Sequence, residues 1–355
     1  MVYSTYLTSL ELDNIVGVIG SGNFGTALSV LLSRNTGVLL YSRHEEIADS
    51  INQSHNNLGW KLPSSIKAIT DLEELCKRCS TIFIAIPSRE FHNLAREIAP
   101  FVNPQHIVIH GVKGFALREH VSRNYMISPH GEFPVYTMSE VLKKETNVVR
   151  IGCISGPNLS KELLKRLPAA SVIASSYDEV ITTAQNLLNQ ENFKLYRSPF
   201  LKGTEIAGAL KNIIAIASGM VNGQKLGKNL ESIIITKGLR EMLIIGSSLD
   251  IAPDAFLGLA GIGDLIATST ADVSRNFSFG YAVGESDDVD QVLSSTAELV
   301  EGIDTTKIIF QYIQKFNLSC PVIHMVYDVI FNKKKVTEAV DHIYRENTAF
   351  DVDFL

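Results

Sequence analysis

The stretch Ile15-Val16-Gly17-Val18-Ile19-Gly20-Ser21-Gly22-Asn23-Phe24-Gly25 runs a β-branched strand pattern into a GxGxxG turn that opens a helical pattern. In such a turn Gly20 permits the tight reversal, Gly22 lets the backbone approach a pyrophosphate, and Gly25 permits close packing of the helix. The helix start adds N–H donors and a partial positive charge, which suit an anionic diphosphate. The competing reading is a strand-to-helix turn that is merely rich in glycine. Its surroundings argue for the dinucleotide. Short Ile- and Val-rich runs recur at 38–41, 66–69, 81–86 and 106–110, as expected of strands buried on both faces. Helical stretches at 23–34, 45–56, 71–79 and 88–98 lie between them, the third opened by Asp71 as an N-cap. This alternation predicts an α/β fold, with a Rossmann-like doubly wound parallel sheet and right-handed crossovers. Further strands are expected at 148–154, 170–174 and 193–196.

Past Arg197-Ser198-Pro199 the pattern turns helical, at about 201–222, 229–248, 301–316 and 321–331. The expected organisation is an arm (1–13), a dinucleotide-binding domain (14–198), a mainly α-helical C-terminal domain (199–344) and a tail (345–355). A length of 355 residues, 45% hydrophobic and 20% charged, fits two ordinary globular domains and excludes a disordered or disulfide-stapled chain. The formal net charge of -6 makes nucleic acid an unexpected partner, since duplex binding uses a basic face. Four scattered cysteines and an N-terminal segment without Lys, Arg or a long apolar run point to a reducing, cytoplasmic setting. The apolar stretch 206–221 is interrupted by Gly208, Lys211, Asn212, Ser218 and Gly219, so it reads as a buried core helix rather than a membrane span. Cys76-Lys77-Arg78-Cys79 is the one metal-like spacing, and no second pair of Cys or His accompanies it, so no metal site is expected.

The end of the second strand bears on the cofactor. An NAD-specific site usually places an acidic residue about 20 residues after the glycines. Here Tyr41-Ser42-Arg43-His44 precedes the first acid, Glu45, and Arg43 suits a 2′-phosphate. This favours NADP(H), or use of both NADP(H) and NAD(H). Alternatively, Arg43 stacks on adenine or lies in solvent.

Lys211-Asn212 falls in the most apolar helix. A buried ammonium is costly unless paired, and desolvation lowers its pKa toward the range useful for proton transfer. A lysine snorkelling from an amphipathic helix is the bland alternative. Asp264, in the glycine-rich apolar run Gly258 to Leu265, is the expected partner that neutralises and orients Lys211. Ser274-Arg275-Asn276 opens a further helix and suits a phosphate, or else is a surface cap with an exposed Arg. Lys113, in Gly111-Val112-Lys113-Gly114-Phe115 after the fifth strand, is a candidate anion contact at the carboxyl edge of the sheet.

These motifs, with Ser155-Gly156-Pro157-Asn158, Lys211 to Ala215 and Val300-Glu301-Gly302 followed by Thr305, occur in the order of bacterial-type NAD(P)-dependent glycerol-3-phosphate dehydrogenase, which the chain resembles over about residues 14–332. The resemblance implies reversible reduction of dihydroxyacetone phosphate to sn-glycerol 3-phosphate, supplying glycerophospholipid synthesis, by a cytoplasmic homodimer. It implies Lys211 as proton donor and acceptor with Asp264 beside it. It implies substrate contacts from Lys113, Gly156, Asn158, Asn212, Ser274, Arg275 and Asn276, together with Lys211 and Asp264. Cofactor contacts are implied for Asn23, Phe24, Arg43, Lys113, Ser160, Arg275, Leu299 and Glu301, beside the three glycines of the turn. Asn158 stands where bacterial members commonly carry Ser, and Ser160 where they carry Ala; amide and hydroxyl both donate, so altered contacts rather than lost activity are expected. The nearest rival is a dehydrogenase of the same architecture acting on a 3-hydroxy acid or a ketopantoate-like substrate. A binding protein without turnover is disfavoured, because it would have no use for a buried Lys–Asp proton relay.

Overall fold

The computed structural model describes residues 15–117, 135–296, 299–341 and 343. The arm (1–13) and tail (345–355) of the sequence reading lie outside the described residues. The chain forms two compact units. Among the described residues, unit 1 comprises 15–112, 138–154 and 158–201, and unit 2 comprises 113–117, 135–137, 155–157, 202–296, 299–341 and 343. Short segments from within 14–198 therefore group with the helical half.

Unit 1 is built on an eight-stranded sheet, β1 (Ile15–Ile19), β2 (Gly37–Tyr41), β3 (Ile66–Ile69), β4 (Thr81–Ile84), β5 (Ile107–His110), β6 (Arg150–Ser155), β7 (Ala169–Ser175) and β8 (Phe193–Ser198). Its order is β8-β7-β6-β5-β4-β1-β2-β3. Strands β1 to β6 run parallel, in register such as Val18 with Leu40 and Phe83. The chain moves outward from β1 through β2 to β3, then crosses back to β4 on the other side of β1. This reversal is the topological switch point at which open α/β sheets bind ligands. The GxGxxG turn leaves the carboxyl end of β1, so it sits at that point.

The helices α1 (Asn23–Leu32), α2 (Glu45–Ser54), α3 (Leu72–Arg78) and α4 (Ser88–Ile98) make the crossovers. Asp71 caps α3 by accepting from Glu73 N at 2.8 Å and Glu74 N at 3.1 Å, as its sequence position suggests. Helix α4 buries Phe91, Leu94, Ala95 and Ile98, a single stripe at helical spacing. Helix α2 ends two residues before the expected 56, where His55 turns left-handed at φ 50°.

One part of the sheet departs from the parallel expectation. Ser175 Oγ donates to Ile151 O at 2.7 Å, while Asn158, beyond the end of β6, reaches Ser171 near the start of β7. Strand β7 therefore runs antiparallel to β6, and β8 follows β7 in parallel. The connection between β6 and β7 holds only a one-turn helix, Ser160–Leu164. The connection is long enough for a parallel crossover, but its helix of 5 residues is only about 7.5 Å long, too short to carry the chain back along a strand.

Unit 2 is helical. Its axis is α5 (Leu201–Gly223), packed among α6 (Lys228–Ser247), α7 (Asp264–Ser269), α8 (Arg275–Ser286), α9 (Glu301–Phe316) and α10 (Pro321–Asn332). Helix α5 is long and apolar enough to cross a membrane, yet nearly all of it is buried inside the protein. Glycines bring α5 and α8 into backbone contact. A Cβ on Gly219 would lie 2.1 Å from Phe277 O, and one on Gly280 would lie 2.1 Å from Ile216 O. Gly223 and Gly284, each four residues further on, repeat the contact at 2.2 Å. This close crossing sets Ser274-Arg275-Asn276, at the start of α8, beside Lys211-Asn212 on α5.

Candidate active site

The glycine-rich turn meets the steric demands read from its sequence. Gly20 has φ +116°, and a Cβ there would fall 2.4 Å from Ala85 O. A Cβ on Gly25 would fall 1.8 Å from Gly20 O, so only glycine lets α1 start this close to the turn. Gly22 differs: among the described residues, a Cβ there would meet nothing within 4 Å. Space therefore lies open above Gly22, where a diphosphate would approach. No side chain caps α1, so its first-turn N–H groups, from Asn23 and Phe24 onward, face that space. Asn57, buried and absent from the sequence reading, holds the turn in place. Its Nδ2 donates to Ser21 O and to Thr26 Oγ1, both at 2.8 Å. Ser21 Oγ in turn donates to Ser42 Oγ at 3.1 Å, tying the turn to the end of β2. The next residue, Arg43, is exposed and pairs with Glu90 at 3.2 Å.

In unit 2, each polar or small residue interrupting α5 has a partner. Lys211 Nζ donates to Asp264 Oδ1 at 2.8 Å and also to Thr268 Oγ1. Lys113 Nζ donates to the other carboxylate oxygen, Oδ2, at 2.6 Å and to Gly156 O at 3.0 Å. Thr268 Oγ1 closes the group by donating to Asp264 Oδ1 at 3.2 Å. Ser218 Oγ donates to Ser269 O at 2.7 Å. Gly208 leaves room for Ser155 Oγ and the Lys113 chain, which a Cβ would approach to 3.0 and 3.5 Å. Asn212 Oδ1 accepts from Asn276 Nδ2 at 3.0 Å, and Asn276 Oδ1 accepts from Gly302 N at 3.0 Å. The Asn276 amide thus locks the starts of α8 and α9 to the middle of α5.

Asp264 owes its position to the glycine-rich run before it. Leu259–Gly263 forms a π-helical turn, in which a Cβ on Gly261 would lie 1.9 Å from Phe256 O. That wide turn delivers Asp264 as the first residue of α7. Thr268 follows four residues later on the same face.

Lys211 and Asp264 side chains are 5% and 2% exposed. Burial lowers the Lys211 ammonium to about 8; Asp264 and Glu301 oppose the fall, and Lys113 adds to it. Burial alone would raise the Asp264 carboxyl, but Lys113 and Lys211 outweigh it and hold it below the usual carboxylate range. One carboxylate between two ammoniums leaves a net positive charge, suited to an anionic substrate. The ammonium has three protons; two are directed at Asp264 and Thr268, and no acceptor for the third is found among the described residues.

The remaining expected residues fall as follows. Ser274 caps α8 by accepting from Phe277 N at 3.4 Å, and Arg275 is the first, exposed residue of that helix. Leu299 and Glu301 flank the start of α9, and the charge of Glu301 acts on Lys211. Asn158 and Ser160 belong to unit 1, where Asn158 Nδ2 donates to Ser171 Oγ at 3.0 Å. The sequence reading missed Thr268 and the second hand on Asp264, Lys113. Cys76 and Cys79 are buried, and burial pushes their thiols up to about 12 and about 11, so both stay protonated at neutral pH.

Comparison with known proteins agrees with both halves of this geometry. The model described as NAD-dependent glycerol-3-phosphate dehydrogenase N-terminus matches residues 15–181, and the model of the C-terminus matches residues 201–341. The chain is 33% identical over 343 residues to glycerol-3-phosphate dehydrogenase (NAD(P)+) of Teredinibacter turnerae, covering 95% of this chain and 96% of that one. A crystal structure of glycerol-3-phosphate dehydrogenase from Coxiella burnetii, 28% identical, superposes with a TM-score of 0.83 over 94% of this chain and 100% of that one. A ketopantoate reductase from Ralstonia eutropha shares 12% identity at a TM-score of 0.52, over 93% of this chain and 100% of that one, a likeness of fold alone. A glycine-rich turn at the switch point and a buried Lys–Asp–Lys cluster thus coincide with full-length similarity, and the chain belongs to the NAD-dependent glycerol-3-phosphate dehydrogenase family.

Proposed function

We propose that this protein catalyses the reversible NAD(P)H-dependent reduction of dihydroxyacetone phosphate to sn-glycerol 3-phosphate. The observation that carries the reading is Lys211: a buried ammonium, brought to about 8, held by Asp264 and Thr268 with one proton to spare. Unit 1 fits the dinucleotide, because Gly22 leaves open the place a diphosphate needs and the uncapped start of α1 supplies donors. Gly20, Gly22, Asn23, Phe24 and Gly25 would hold the diphosphate, and Arg43 would meet the adenosine ribose. Lys113, Ser160, Arg275, Leu299 and Glu301 are the further residues that would contact the cofactor. When bound, the reduced nicotinamide supplies a hydride.

The chain's own residues do the rest. Lys211 Nζ donates its proton to the carbonyl oxygen during reduction, and the neutral amine accepts it back in the reverse direction. Asp264 aims the ammonium and balances its charge, while Thr268 limits its rotation. Lys113, Gly156, Asn158, Asn212, Ser274, Arg275 and Asn276 bind the substrate; Arg275 and the start of α8 suit its phosphate. A cytoplasmic homodimer that supplies glycerophospholipid synthesis is the setting this activity suits.

The test is a matrix of NADH and NADPH against dihydroxyacetone phosphate, unphosphorylated dihydroxyacetone and ketopantoate, followed by NAD(P)H absorbance. Rapid oxidation with dihydroxyacetone phosphate alone is expected. Equal rates on dihydroxyacetone would remove the phosphate from recognition, and a preference for ketopantoate would replace the substrate.

A further inference from the structure

We propose that Glu90 sets the preference between NADH and NADPH by holding the guanidinium of Arg43. The proposal rests on the reading that the dinucleotide lies along the Gly20-to-Gly25 turn. In that arrangement the residue after the second strand reads the 2′ position of the adenosine ribose, a carboxylate there favouring hydroxyls and an Arg favouring a phosphate. The end of β2 is fixed relative to the turn, because Ser42 is buried and its Oγ accepts from both Ser21 Oγ at 3.1 Å and His44 N at 3.3 Å. Arg43 follows directly. No acid lies on β2, and Glu45 and Glu46 sit in the first turn of α2, where the helix start favours a carboxylate. The acid that reaches this position comes from elsewhere in unit 1: Glu90, in the first turn of α4, whose Oε2 accepts from Arg43 Nη2 at 3.2 Å.

This pair changes what Arg43 does. A 2′-phosphate must draw Arg43 from Glu90 and then bear the adjacent carboxylate charge. The ribose hydroxyls of NADH meet neither cost. Glu90 therefore offsets the advantage that Arg43 alone would give NADPH. The side chains of Arg43 and Glu90 are 60% and 45% exposed, so solvent and salt screen the effect. An exposed charge pair of this kind corresponds to a roughly two- to fivefold change in an equilibrium constant.

The experiment measures dissociation constants of NADPH and NADH by isothermal titration, without substrate, for wild type, Glu90→Gln, Arg43→Ala and the double variant. Glu90→Gln is expected to shift the affinity ratio toward NADPH by about two- to fivefold at low salt, and by less at high salt. In the Arg43→Ala background the same substitution is expected to move the ratio less, because its main route is gone. A ratio that stays put or moves toward NADH on Glu90→Gln overturns the proposal, as does an equal shift in the Arg43→Ala background. If wild type binds neither dinucleotide, the cofactor reading falls with it; if it binds both and the ratio does not respond, Glu90 alone is wrong.

Discussion

Asp264→Asn removes one charge from the Lys–Asp–Lys cluster and nearly preserves its shape. An Asn Oδ1 still accepts from Lys211 and Thr268, but its Nδ2 faces Lys113 donor to donor, where a carboxylate oxygen now lies 2.6 Å away. Lys211 loses a counter-ion at 2.8 Å and keeps the repulsion of Lys113. Two unit charges at that distance interact by about 6 kcal/mol at an effective dielectric of about 20. The carboxylate needs to be worth only about a quarter of this to lower Lys211 by one further pKa unit. In the proposed mechanism, reduction requires the protonated amine. In wild type, kcat/KM for dihydroxyacetone phosphate should therefore be level below pH about 8 and fall above it. In the variant the fall should begin at least about one unit lower, and at pH 8 the protonated fraction should drop from about half to about a tenth. Leaving Lys113 and Lys211 without their shared anion should also cost about 3–5 kcal/mol, a fall of roughly 10 °C in Tm. A pH profile measured by NAD(P)H oxidation decides the matter. An alkaline limb that stays near pH 8, or moves up, refutes the electrostatic role given to Asp264.

Two other substitutions separate binding from scaffolding. Gly22→Ala meets nothing within 4 Å in the protein itself, so its Tm should match wild type while NADH binding weakens about tenfold or more; unchanged binding by titration would remove the diphosphate from that place. Gly280→Ala puts a Cβ 2.1 Å from Ile216 O, so α5 and α8 must part, with a loss of about 1–3 kcal/mol in urea unfolding; an unchanged midpoint would show that the crossing is not as tight as described.

What could be read in the sequence was whatever a short stretch decides by itself. The GxGxxG turn, the buried strands and the Asp71 cap depend on neighbours in the chain, and each is found close to where its pattern places it. The direction of β7 was not legible, because Ala169–Ser175 reads as a buried strand in either direction and only its contacts with β6 and the segment after it decide. Lys211 and Asp264 were paired in advance by cost, since each would be too expensive to bury alone. Lys113 was noted as a cation, but its hold on Asp264 spans 151 positions and carries no local mark. Thr268 did leave a signal, four residues after Asp264 on a helix, as did the paired glycines Gly219 and Gly223 with Gly280 and Gly284. Glu90 left none, since Ser88-Arg89-Glu90 is an ordinary helix start.

The most direct test of the account compares wild type with Lys211→Met for initial rates of NAD(P)H oxidation by dihydroxyacetone phosphate, with cofactor affinity measured on both. Met fills the space of the lysine stem and lacks its proton. Rapid turnover by wild type is expected, with a rate lower by about 10²–10⁴ in the variant and similar dinucleotide affinity in the two proteins. A wild type inert toward dihydroxyacetone phosphate, or a variant that retains most of its rate, would contradict this expectation.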